Sequence, residues 1–158
     1  MKKIIFMAIA VIATVFNANA VQGDVSAAAQ FVYGSRHSMA GLGVQLQYEP
    51  LTNFRLAPEF IYFFKNDHRS AINANLNLHY VIKTSSSFAL YPILGFSYVN
   101  YKVDSTLGDH SDNLCGANVG LGAEYRVQER LYFFSEERFQ IVKDRNQSVT
   151  VLGLKYTF

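Results

Sequence analysis

Two histidine–serine pairs, His37–Ser38 and His110–Ser111, are the places in this chain where a base stands beside a nucleophile. Asp109 and Asp112 flank the second pair and could orient its imidazole, as nucleophilic hydrolysis requires. Adjacent residues on a strand point to opposite faces, however, so His37 and Ser38 make a poor dyad. Asp104, Asp109, His110 and Asp112 could also ligate a divalent ion, but their spacing is not that of a calcium-binding loop. Cys115 is the single cysteine, which excludes an intrachain disulfide and a multi-cysteine metal centre. These residues predict no enzyme, no metal site and no cofactor.

A second set of polar residues is spaced by two. Asn73, Asn75, Asn77 and His79 alternate with Ile72, Ala74, Leu76, Leu78 and Tyr80. Strand side chains alternate between faces, so this stretch has one amide-rich face and one apolar face. Such a strand lies between an apolar medium and a wet one. The same alternation puts Arg55, Glu59, Glu124, Arg126, Glu136, Arg138 and Lys155 on the polar side, together with Gln45 and Gln47. Opposite charges in a narrow interior should pair, because an unpaired buried ion costs several kcal/mol. Two uses follow: a salt-bridged polar core that holds the structure shut, or a narrow gated pore in which Glu59, Glu124, Arg138 or Lys155 exchange partners.

The elements that would position these groups are eight strands, at about 24–34, 38–49, 54–64, 70–82, 87–101, 113–126, 131–142 and 147–158. Each is long enough for the 9–11 residues that a tilted membrane strand needs. An even number lets the sheet close with both ends on one side and no exposed edge. The expected fold is all-β, an eight-stranded antiparallel up-and-down transmembrane β-barrel. The connections between strands fall near 50–53, 83–86 and 127–130 at one end and near 35–37, 65–69, 102–112 and 143–146 at the other.

Alternation alone does not say which face is outside. A secreted lipocalin-like barrel has the same strand count with its apolar face inward, and its outer face should then be rich in Lys and Glu. Here the polar faces are Gly41, Gly43, Gln45 and Gln47, then Asn118, Gly120 and Gly122. Tyr33, Tyr48, Tyr80, Tyr98, Tyr125 and Tyr156 come near strand ends, as interfacial aromatic girdles would place them. The apolar faces are therefore expected to meet lipid.

At the N-terminus, Lys2 and Lys3 precede an apolar run over residues 4–16, and Ala18-Asn19-Ala20 supplies a small-x-small cleavage signal. Thirteen residues of helix rise about 20 Å, short of the roughly 30 Å hydrocarbon core. Residues 1–20 are thus expected to be a signal peptide cleaved after Ala20, and residues 21–158 a single barrel domain. Losing Lys2 and Lys3 takes Lys+Arg from 14 to 12 against 12 acids, so the mature chain has no electrostatic case for nucleic acid. Charged residues are 16% of the chain, below the roughly 25% of soluble domains.

The segments NFRLAPEFIYFF (53–64), NANLNLHYVI (73–82), LYPILGFSY (90–98), GANVGLGAEY (116–125) and VLGLKYTF (151–158) resemble the small eight-stranded outer-membrane barrels of the OmpA/OmpX-like porin family. The likeness is to Bacteroidetes-type outer-membrane β-barrel proteins in particular. It implies a Gram-negative outer-membrane location, both termini periplasmic, and a structural or surface-interaction role in the envelope. It also implies a monomer surrounded by outer-membrane lipids. Leu154, Tyr156 and Phe158 resemble the C-terminal signal read by the outer-membrane barrel assembly machinery. Arg36, Lys65, Arg69, Lys143 and Arg145 would then stand at the outer rim, within reach of lipopolysaccharide phosphates. An external partner is not identified. Lipid A-modifying barrels make an enzyme the third alternative.

Three residues sit awkwardly. Pro58 and Pro92 fall within strands, where a missing N–H breaks a ladder bond, and a bulge or a strand end would accommodate them. Strict alternation places Glu137 outward beside Ser135. A bulge in its strand, or a position near the headgroups, is the expected resolution.

Overall fold

The computed structural model describes residues 23–36, 38–66, 69–103, 110–143 and 145–158, without the side chains of 66, 69, 102, 103 and 110–112. The expected signal peptide and its cleavage site, His37, Asp104 and Asp109 lie outside the described residues, as do the side chains of Arg69, His110, Ser111 and Asp112.

The strands are β1 (Asp24–Gly34), β2 (Met39–Leu51), β3 (Phe54–Asn66), β4 (Arg69–Tyr80), β5 (Ile82–Lys83), β6 (Phe88–Val103), β7 (His110–Arg126), β8 (Leu131–Val142) and β9 (Gln147–Thr157). Each pairs antiparallel with a sequence neighbour, β9 returns to β1, and β4 pairs with β6 to close the ring. β4 and β5 are one stave. His79 faces Ile93 and Ile82 faces Leu90 in an unbroken register, and the gap between them lies opposite Pro92. The structure is therefore a closed barrel of eight staves.

β1 begins and β9 ends at the end of the barrel that carries connections 52–53, 84–87 and 127–130, hereafter the turn end. The opposite, loop end carries 35–38, 67–68, 104–109 and 143–146. The expected 102–112 loop is shorter than its sequence suggested, because β6 runs on to Val103 and β7 begins at His110. At the turn after β2, Asn53 takes a left-handed φ of 72°, which Asn tolerates, and its carbonyl accepts the Val81 N–H at 2.7 Å.

The sheet is apolar on its outer surface and mixed within. Leu121 on β7 is 68% exposed, while Arg138 on the adjacent β8 is 2% exposed. A soluble barrel would have these reversed. Tyr33, Tyr80, Tyr98, Tyr125 and Tyr156 all point outward. Inward glycines make room for large lumenal rings: a Cβ at Gly122 would run into Tyr91, and one at Gly153 into Phe134.

Neither proline uses a bulge or a strand end. Pro92 sits opposite Leu121 with β7 in unshifted register and interrupts only the ladder to β4 and β5. Pro58 likewise leaves a gap towards β2 between Gln45↔Glu59 and Tyr48↔Leu56, whose register is the same on both sides. The irregularity in β2 lies beyond it, between Tyr48 and Leu51. A barrel stave tolerates one missing ladder bond because its other edge stays paired.

Candidate functional site: the lumen and its turn-end mouth

Alternation delivers a ladder of polar side chains into the lumen, and register decides which of them meet. Towards the turn end, Arg55 donates two hydrogen bonds to Glu124, at 2.9 and 3.0 Å, while Lys155 Nζ reaches the same carboxylate at 2.7 Å. Arg55 also binds Glu49, with Nη2 at 2.7 Å from Oε1. Four charges from β2, β3, β7 and β9 thus form one compact group. Lys155 Nζ lies 4.4 Å from the centre of the Tyr132 ring, and the Arg55 guanidinium 5.4 Å from that of Tyr91. Tyr91 stacks on the fully buried His79 with ring centroids 4.8 Å apart.

One layer further in, Arg138 of β8 is ion-paired with Glu59 of β3, and its Nε is 3.6 Å from Glu136 Oε2. Glu59 is the centre of this layer: Gln30 donates to it at 2.8 Å, Gln45 at 3.3 Å and Asn75 at 2.5 Å. The Tyr91 hydroxyl donates to Glu136 at 3.1 Å, joining the two charged layers. Asn118 donates to Asn75 and Asn77, at 3.2 and 3.0 Å. A last polar chain runs Gln147 to Gln140 to Ser97 to Asn73, at 2.6, 2.6 and 3.0 Å.

Of the thirteen polar residues expected inside, twelve are buried: Gln45, Gln47, Arg55, Glu59, Asn73, Asn75, Asn77, His79, Glu124, Glu136, Arg138 and Lys155. Arg126 is the exception. It has the inward parity, but β7 ends there, so its side chain is exposed at the turn-end mouth. Alternation fixes the face of a residue and not its depth. Gln30, Glu49, Tyr91, Ser97, Gln140 and Gln147 belong to the network without having been singled out. Each has the inward parity of its strand, which was the available signal.

The expectation of a wholly polar filling requires correction. The loop-end part of the lumen is lined by Val32, Met39, Ile61, Phe63, Ala71, Val99, Tyr101, Val142 and Val149, all buried in one cluster. Along β3 the inward series runs Arg55, Ala57, Glu59, Ile61, Phe63, and along β9 upward it runs Lys155, Gly153, Val151, Val149 before ending on Gln147. Both staves change from charged to apolar on approaching the loop end. The lumen is a charged well under a mainly apolar cap, through which Gln140 and Gln147 carry a polar chain.

Glu137 is outward and exposed with no bulge to displace it: β8 keeps register with β7 from Gly116↔Val142 to Arg126↔Tyr132. It lies midway along its strand, away from either end. Its carboxylate accepts hydrogen bonds from β9, from the Ser148 hydroxyl and from that of Thr150 at 2.6 Å. Two hydroxyls, not a bulge, accommodate the charge.

At the loop end, Arg36 Nη1 donates to the Asn146 carbonyl at 3.5 Å, and Arg145 lies 4.8 Å over the Tyr101 ring. Lys143 is exposed, as is Lys65. In the last strand Leu154, Tyr156 and Phe158 share the outward face, with the Tyr156 and Phe158 rings 5.5 Å apart.

Apolar surface outside, ion pairs inside and closure after eight antiparallel staves define the class of small membrane-type β-barrels. No protein-family model matches the chain, and no curated protein matches it in sequence. Solved structures do match in fold. The N-terminal β-barrel domain of Pseudomonas aeruginosa OprF has a TM-score of 0.76 at 17% identity, over 87% of this chain and all of that one. Neisserial surface protein A gives 0.71 at 17% identity, over 86% and 97%. Ail, the attachment invasion locus protein of Yersinia pestis, gives 0.65 at 14% identity over the same shares. The chain has the fold of these outer-membrane barrels.

Proposed function

We propose that this protein is an OmpA/OmpX-like outer-membrane barrel of Bacteroidetes type, with a structural or surface-interaction role and no catalytic activity. The observation that carries this reading is the inversion of burial. Leu42, Val44, Leu94, Leu121 and Phe139 cover the outside, while Arg55, Glu59, Glu136 and Arg138 are enclosed. Only an apolar solvent makes that arrangement favourable. Signal cleavage after Ala20 and assembly directed by Leu154, Tyr156 and Phe158 would leave both termini periplasmic and the loop end outside. Arg36, Lys65, Arg69, Lys143 and Arg145 would then meet lipopolysaccharide phosphates. Ail has been solved with the heparin analogue sucrose octasulfate, a precedent within the fold for anion contact. We take the protein to be a monomer whose lumen does not conduct.

The second reading, a narrow gated pore, is favoured by one feature. Arg138 lies between Glu59 and Glu136, and Glu124 holds two cations, so partners are at hand for exchange. The apolar cap opposes it. Fractionation of expressing cells tests the main reading: the chain should appear in the outer membrane, lacking residues 1–20 and requiring detergent for extraction. A folded monomer in detergent-free buffer would overturn it.

A further inference from the structure

We propose that the turn-end mouth of the lumen is a binding site for a small oxyanion, a carboxylate or phosphate group, held by Lys83 and Arg126. The mouth forms an open recess of about 160 Å³. This is room for several waters, or for one phosphate or a short carboxylate.

The charges lining the cavity are Asp24, Glu49 and Glu124 against Arg55, Lys83, Arg126 and Lys155, three acids to four cations. Its floor is internally matched, since Glu124 is bound by Arg55 and Lys155, and Glu49 by Arg55. Lys83 and Arg126 make no hydrogen bond or ion pair among the described residues. Register sets these two cations on the two staves that flank β6: Lys83 faces Ala89, Ala89 faces Glu124, and the Arg126 N–H bonds the Ser87 carbonyl at 2.8 Å. They therefore flank the turn formed by Ser85, Ser86 and Ser87. The Ser85 hydroxyl holds that turn by accepting the Ser87 and Phe88 N–H groups at 3.3 and 3.1 Å. The Ser86 and Ser87 hydroxyls are left to donate.

Two cations and two hydroxyls around a recess are the donor set an oxyanion requires, with the guanidinium able to bind two of its oxygens. The recess strengthens each contact, because part of the solvent screening is removed. Asp24 is the opposing group. It stands on β1, on the far side of the ring from β6, so it weakens attraction without touching an anion held at the serine turn. The site depends on the fold alone and holds whichever compartment the turn end faces.

The test is an amide-shift titration of the full mature barrel in micelles with sodium phosphate and sodium acetate, at constant ionic strength set by sodium chloride. Saturable shifts confined to Ser85–Phe88 and Arg126 are expected. Response to phosphate alone or to acetate alone identifies which oxyanion the site takes. Lys83→Gln with Arg126→Gln should weaken binding about tenfold or more. Asp24→Asn should tighten it several-fold, a gain that misfolding cannot imitate. Shifts that grow linearly without saturation, or that are unchanged in both variants, would overturn the proposal.

Discussion

Arg138 of β8 is ion-paired with Glu59 of β3 across the lumen, although their staves share no hydrogen-bonded edge. Arg55 of β3 and Glu124 of β7 form a second such tie. These contacts brace the ring from within, perpendicular to the backbone ladders that close it. Both acids are also held by neutral or second cationic donors, so each carboxylate is saturated with hydrogen bonds.

Glu59→Leu should therefore destabilise the barrel by about 3–5 kcal/mol, because Arg138 is left buried with only Glu136 at 3.6 Å. Glu59→Leu combined with Arg138→Met should recover much of that loss, since no lone charge remains. Urea unfolding in micelles, followed by far-UV circular dichroism, measures both. Losses that simply add in the double variant would show that the pair is not coupled.

The two faces of β7 make opposite predictions for neighbouring residues. Gly122→Ala forces a methyl into the Tyr91 ring and should cost about 1–3 kcal/mol through overpacking. Leu121→Ala removes an outward side chain that packs on no lumenal ring and should cost less in the same assay. A larger cost at Leu121 than at Gly122 would contradict the inward placement of Tyr91.

The mainly apolar lining of the loop end predicts a silent barrel. The native protein in a planar bilayer should give no steady conductance, because the buried Met39, Phe63, Val99 and Val142 side chains disfavour hydrated ions above the charged layers. Phe63→Ser with Val142→Ser should permit small openings by making that layer polar. Frequent openings of the native protein, altered by Glu124→Gln, would instead support partner exchange in a gated pore.

Legibility along the chain followed contrast between faces. Where one face is polar and the other apolar, as over Asn73–Tyr80 and Gly116–Tyr125, orientation and stave could be read directly. Around Phe60–Phe64 both faces are apolar, so the alternation carries no contrast, and the inward Ile61 and Phe63 of the cap went unseen. Depth was the second gap. Arg126 shares the parity of Glu124 yet lies at the mouth, and Glu49 two residues beyond Gln47 enters the Arg55 group. Pairing across the lumen depends on the stagger between staves, which alternation within one stave does not contain.

Glu137 yields the prediction with the least intuitive sign. Its carboxylate stands midway along β8 on the outward surface, held by Ser148 and Thr150. Under the proposed orientation it faces acyl chains, where an ionisable side chain costs up to a few kcal/mol at the midplane, less for Glu than for Lys or Arg. The two hydroxyls offset part of that cost and cannot offset all of it, since an ionised carboxylate seeks more donors than two. Replacing it with an apolar side chain releases Ser148 and Thr150, whose hydroxyls can turn back onto carbonyls of their own strand. Glu137→Leu should thus raise the stability of the barrel in lipid vesicles by about 1 kcal/mol, the reverse of the effect at Glu59. Equilibrium unfolding in vesicles decides it. A destabilisation at Glu137 like that at Glu59 would mean the carboxylate meets a polar partner in the membrane and not lipid.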